Sequence, residues 1–193
     1  VALAVSGDDV FVGGAFVSAG GIAANCIARW NGSTWQALGS GGGNGVNSQV
    51  TALAVSGGDL FVGGLFNQAN VGAAIPANRI ARWNGSAWQA LGSSGGNGVN
   101  SSVSALVVSG GELYVGGSFT QANVGASIPA NGIARWSNGT WQALGSSGGN
   151  GVNGSVSALA ASGGDLFVGG SFSEANVGVG IPANRIARWN GSA

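Results

Sequence analysis

Short runs that alternate apolar and small residues recur along the chain, separated by clusters of Gly, Ser and Asn. Thr51 to Val55 is one such run, and its period-2 pattern predicts a β-strand. Ser56-Gly57-Gly58-Asp59 follows as a turn. Leu60 to Phe66 predicts a second strand, whose internal Gly pair implies close approach of another backbone or a bulge. After a polar loop from Asn67 to Asn78, Arg79 to Trp83 predicts a third strand. Asn84 to Ala87 is a hairpin connection, and Trp88 to Leu91 the fourth strand. A Gly-rich linker from Gly92 to Ser102 leads into the next copy.

The pattern restarts at Ala2, Ala52, Ala105 and Ala158, in steps of 50, 53 and 53 residues. A period near 50 in a β-rich chain outranks any local motif, because it means one supersecondary unit used repeatedly. Four antiparallel strands per unit describe a blade, so the expected fold is all-β, a β-propeller of four-stranded antiparallel blades. The expected segments of this single repeat array are 1–50, 51–103, 104–156 and a partial fourth at 157–193. A linear array satisfies the same periodicity. In the blade reading, the tight turns share one face and the long loops the other. The first repeat is three residues shorter, and the deletion falls in its Val17–Asn25 loop.

The repeat resembles the kelch type. The positions that carry the resemblance are Phe61, Gly63-Gly64, Trp83 and Trp88, repeated at Phe11, Gly13-Gly14, Trp30 and Trp35, and at Tyr114, Gly116-Gly117, Trp136 and Trp141. The fourth copy supplies Phe167, Gly169-Gly170 and Trp189. Trp stands where the family usually has Tyr at the first of the paired aromatics. The sequence is similar to kelch-like arrays of large secreted or surface bacterial proteins. The resemblance implies a propeller of six or seven blades that binds protein or carbohydrate. A minority of the family are enzymes whose copper site needs Tyr, Cys and His. With no His and one Tyr, this chain cannot build that site.

Composition narrows the function further. Only 6% of residues are charged, with six Arg, no Lys and six acids. No basic stripe exists to bind nucleic acid or anionic lipid. No run approaches the roughly 18 apolar residues of a membrane helix. One Cys and no His leave no disulfide framework or Cys/His zinc site. Cys26 shares its repeat position with Arg79, Gly132 and Arg185, which marks it as an incidental thiol. The absence of Met suggests a processed chain or a piece of a longer one. As an incomplete array, it is expected to sit in a larger propeller or to self-associate.

Acids recur at Asp9, Asp59, Glu112 and Asp165, and Arg at 29, 82, 135 and 188. Each acid opens the second strand and each Arg nearly ends the third, so intrablade ion pairs are expected. Repetition in every unit favours core Trp pairs over sugar-stacking ones. Asn-x-Ser/Thr sequons at Asn31, Asn84, Asn100, Asn138, Asn153 and Asn190 are possible glycan acceptors, although Asn-Gly also suits the turns. The candidate ligand-binding residues are neutral amides and one acid on the long-loop face: Gln68, Asn70, Asn78, Gln121, Asn123, Asn131, Glu174, Asn176 and Asn184. No catalytic residue, metal or cofactor is expected. The functional expectation is a non-catalytic structural or interaction module of an extracellular or cell-surface protein. The alternative is a carbohydrate-binding propeller using the long-loop face. Expected partners are protein, a second copy, or glycans.

Overall fold

A computed structural model gives the structure and describes residues 1–191. The chain divides into two compact units, Val1–Leu91 and Gly92–Ala193.

In the first unit, Ala2–Ser6, Asp9–Gly13, Ile27–Trp30 and Trp35–Ala37 form a four-stranded antiparallel sheet in that spatial order. Val50–Ser56, Asp59–Gly64, Ile80–Trp83 and Trp88–Ala90 form a second with the same order. These strands lie where the alternation places them. Ser56 pairs with Asp59 across Gly57 and Gly58, whose φ values of 57° and 88° only Gly adopts without strain. Trp83 faces Leu60 on one side and Trp88 on the other, and Trp30 sits likewise between Val10 and Trp35.

The second unit repeats this construction. Val103–Ser109, Glu112–Gly117, Ile133–Ser137 and Thr140–Ala143 form a four-stranded sheet. Ser155–Ser162, Asp165–Ser171 and Ile186–Trp189 form a three-stranded one. The last two residues of the 157–193 segment lie outside the described residues.

The propeller expectation is overturned by the strand pairing. The long loops and linkers of the blade reading themselves contain short paired strands. In the first unit, Gln68–Val71 from the long loop pairs with Asn44–Val46 from the linker and with Ile75–Pro76. In the second, Gln121–Val124 pairs with Asn97–Val99 and Ile128–Pro129, and Glu174–Val177 with Asn150–Val152 and Ile181–Pro182. The architecture is therefore an alternation of small three- and four-stranded antiparallel sheets, and no sheet among the described residues closes on itself. The physical reason is backbone satisfaction. A dozen loop residues folded against a core cannot leave N–H and C=O groups unbonded, so loop and linker bond each other. The shorter first repeat keeps only the two-residue pairing of Ser18–Ala19 with Ile22–Ala23.

Successive repeats pack inside each unit at the first glycine of the Gly pair. A Cβ at Gly13 would lie 2.3 Å from Val50 Cγ1, and one at Gly116 would lie 2.5 Å from Val156 Cγ1. Leu53 and Leu159 approach the same glycines. The glycines thus admit the apolar first strand of the following repeat. In the first unit this seam continues into one buried cluster that includes Phe11, Ile27, Val46, Val50, Phe66 and Trp88.

At Gly169 the nearest atom to a built Cβ is 3.8 Å away. Gly116→Ala should therefore destabilise the protein by about 1–3 kcal/mol through overpacking. Gly169→Ala should stay within about 0.5 kcal/mol. Thermal melts of both variants test the contrast, and equal losses would refute this account of the seam.

Candidate functional site

The repeated charged positions meet as ion pairs. Arg29 lies 2.7 Å from Asp9, Arg82 3.1 Å from Asp59, Arg135 3.0 Å from Glu112, and Arg188 3.5 Å from Asp165. The register explains this: Arg82 stands opposite Phe61, two residues beyond Asp59 on the same face. Arg82 and Arg135 also donate to Gln89 and Gln142 on the fourth strand. Half-exposed pairs of this kind contribute about 0.2–1 kcal/mol each. They fix strand register more than they hold the fold.

Glu112 has a further partner in Tyr114, whose hydroxyl donates to it at 2.9 Å. Burial pushes the Glu112 carboxyl up, but hydrogen bonds from Tyr114 and Ser137 and the Arg135 charge outweigh it and hold the pKa below 4.5. The Tyr114 phenol is raised by burial and by its bond to Glu112.

Each tryptophan pair stacks at a tilt, with ring centroids 5.5 Å apart for Trp30–Trp35 and Trp83–Trp88 and 5.3 Å for Trp136–Trp141. Trp83, Trp88 and Trp141 are buried, and Trp88 Nε1 donates to the Leu38 carbonyl at 2.9 Å. Such pairs contribute roughly 0.5–1.5 kcal/mol beyond burial. These three are core residues, closed to a sugar ring.

Among the candidate ligand-binding amides, Asn70, Asn123 and Asn176 are buried. Asn70 Oδ1 accepts from Ser40 N at 3.1 Å while its Nδ2 donates to Ser40 O at 2.9 Å. Asn123 clasps Ser93 and Asn176 clasps Ser146 in the same way. All three have φ between 51° and 54°, a left-handed conformation that Asn tolerates better than other side-chain-bearing residues. These amides fasten linker to loop and do not face a ligand.

Gln68, Gln121 and Glu174 are half-buried at the starts of the loop strands. Asn78 and Asn131 are half-buried, and Asn184 is exposed. Asn131 N donates to Asn150 Oδ1, which continues the fastening. The nine residues therefore form no single site. The partners that sequence reasoning missed are the linker asparagines. Asn47, for instance, accepts from the backbone of both Asn67 and Gln68. The recurring Asn-Gly-Val-Asn of the linkers is the signal that could have found them.

The sequons divide by role. Asn31 and Asn84 accept from backbone amides two and three residues on, an Asx-turn use. Asn138 is exposed at a turn with φ 49°. Asn100 and Asn153 pin the loops through Thr120 and Ser173. Asn190 is exposed.

The second unit contains an apolar cavity of about 350 Å³ beside the strand Ile186–Trp189. Leu144, Val152, Ala175, Ile181, Ala187 and Trp189 line it. More open depressions of mixed polar and apolar lining involve Asn131 and Asn184. Among the described residues no group of three His, Cys, Asp or Glu could hold a metal. Cys26 is a partly buried free thiol.

No protein-family description and no curated protein matches the chain. Solved structures similar in fold include two designed proteins. One is the computationally designed Ika8 protein, at TM-score 0.57 and 21% identity over 97% of this chain. This chain spans only 44% of that protein's length. The other is the computationally designed Ika4 protein, at TM-score 0.53 and 20% identity, covering 97% of this chain and 88% of that one. At these identities the likeness concerns fold alone.

Asn123→Ala removes both bonds to Ser93 and leaves Ala at positive φ, so a loss of about 1–3 kcal/mol is expected. Gln121→Ala should change stability by less than about 0.5 kcal/mol. Comparable losses for the two in chemical denaturation would refute the fastening role. Because the Glu112 pKa is lower folded than unfolded, its contribution is present above 4.5 and is lost as pH falls through the folded value. Glu112→Gln should therefore flatten part of the loss of stability between neutral and acid pH. Identical pH profiles for the two proteins would overturn this.

Proposed function

We propose that the chain is a non-catalytic structural or interaction module of an extracellular or cell-surface protein. One observation carries the reading: the side chains that recur with the repeat are engaged in holding it together, with Trp83, Trp88 and Trp141 in the core, the acids and Arg in ion pairs, and Asn70, Asn123 and Asn176 as fasteners. Low charge and the sequons favour a secreted setting, and the kelch-like resemblance belongs to this proposal as a matter of sequence only.

A carbohydrate-binding role has one observation in its favour. Thr120, Asn131, Asn153 and Ser155 stand beside Phe119, Val152 and Val177 in a depression of about 410 Å³, a mixture of hydroxyl, amide and apolar groups. The preference is for protein, because the recurring amides Asn70, Asn123 and Asn176 that a sugar would need are already bonded to the linkers.

Sedimentation velocity over a concentration series, paired with a glycan array, tests the choice. Concentration-dependent association without glycan binding is the expected result. A protein that stays monomeric up to about 0.1 mM while binding a defined glycan would reverse it.

A further inference from the structure

We propose that the depression over Gly132, in the second unit, is a guanidinium site that takes an arginine side chain of a partner polypeptide. This inference rests on the reading of the chain as an interaction module and names one group that its partner presents. The chain itself shows how such a group is held. In the second repeat, Arg79 Nη1 donates to the Leu65 and Phe66 carbonyls, each at 3.1 Å. Arg79 thus rests on main-chain oxygens, whereas Arg29, Arg82, Arg135 and Arg188 rest on acids.

The third repeat keeps the receptor and lacks the arm. Ser118, Phe119 and Gly132 stand 53 residues beyond Leu65, Phe66 and Arg79. Their main chains are built alike. Arg79 N donates to Phe66 O and Gly132 N to Phe119 O, both at 2.8 Å. Gly64 N donates to Arg79 O and Gly117 N to Gly132 O, both at 2.9 Å. The φ values are 64° at Arg79 and 69° at Gly132. The Ser118 and Phe119 carbonyls therefore stand as those of Leu65 and Phe66 do, and a depression of about 410 Å³ opens over them. Phe119 O has one lone pair on the Gly132 amide and keeps the second for a further donor, as Phe66 O does for Arg79 Nη1.

An arm on residue 132 itself is excluded. A Cβ there would lie 2.8 Å from the Gly154 carbonyl oxygen and 2.9 Å from Val152 Cγ2. The guanidinium must therefore arrive from another molecule. Thr120, Asn131 and Ser155 line the same depression, and their oxygens are acceptors for the N–H groups that two carbonyls leave over. Phe119, Val152 and Val177 offer apolar surface to the aliphatic stem. No cationic residue lines the depression, so an incoming guanidinium meets no like charge. Arginine carries five N–H donors in a planar fork that can reach several fixed acceptors at once, whereas lysine is a compact point charge. The lining runs from Ser118 to Val177, so the site lies between two consecutive repeats and wholly inside the second unit.

The probe is Nα-acetyl-arginine amide, titrated into the 193-residue protein while backbone amide shifts are followed by NMR. Saturable shifts at Ser118, Phe119, Gly132 and Gly154 are expected, with a dissociation constant on the order of millimolar for a single side chain. The citrulline analogue keeps the shape without the charge and should bind about tenfold more weakly or worse, as should the lysine analogue. Ser155→Arg brings a competing guanidinium to the half-buried rim, so it should melt like the parent and lose about tenfold in probe affinity. Absence of shifts in a cooperatively folded protein up to about 50 mM probe overturns the proposal, as does equal binding of citrulline or of the parent and Ser155→Arg proteins. Monosaccharides that shift the same amides where arginine does not would overturn it in favour of a sugar. If the probe fails and the protein still associates in sedimentation, the interaction-module reading survives without this site. If it neither associates nor binds the probe, both fall.

Discussion

Backbone hydrogen-bonding groups that lie outside the four-stranded sheets must find partners, and this requirement organises the rest of the molecule. The chain has few charges and 40 glycines, so its connecting segments offer mostly main chain to the interior. Bare main chain against an apolar core is costly to leave unbonded. The chain answers with asparagine. Asn70 clasps Ser40, Asn47 receives the amides of Asn67 and Gln68, and Asn44 receives that of Asn25. These bonds turn linker and loop into sheets, and the sheets seat Val46 and Ala69 against Trp88. Ion pairs are secondary, since they are half-exposed and each contributes less than the buried amides.

Much of this was legible in the sequence. The four main strands of each repeat follow from alternation, turn residues and the Trp pair. The acid–Arg pairs follow from register, because an acid at the start of one strand and an Arg near the end of its antiparallel neighbour must meet diagonally. Packing at the glycine pair was legible as close approach, though the identity of the approaching side chains, Val50 at Gly13 and Val156 at Gly116, was not.

The loop sheets were not legible, and neither therefore was the architecture. Pairs such as Ala69 with Val46 are short and rich in Gly, Asn and Pro, residues that propensity reads as loop. Their stability comes from side-chain amides bonding to distant backbone, a term that no local pattern contains. The same blindness affected the candidate site. An Asn recurring in a loop reads as an exposed polar group, whereas Asn123 and Asn176 are buried fasteners at positive φ. Only the structure separates an amide offered outward from one turned inward. The terminal cavity was also invisible, because its lining is drawn from two successive repeats.

The identical register of every Trp pair has a consequence for how the chain reaches its fold. Trp30 opposite Trp35, Trp83 opposite Trp88 and Trp136 opposite Trp141 are interchangeable matches. A nascent third strand from one repeat can zip onto the fourth strand of another with the same side-chain complementarity. Zero net charge gives no long-range repulsion to keep such chains apart. Only the short Asn-Gly connection between the two strands favours the correct mate, by making it the one that arrives first. Fidelity here is a race won by proximity, and in crowded refolding the chain is prone to strand exchange between molecules.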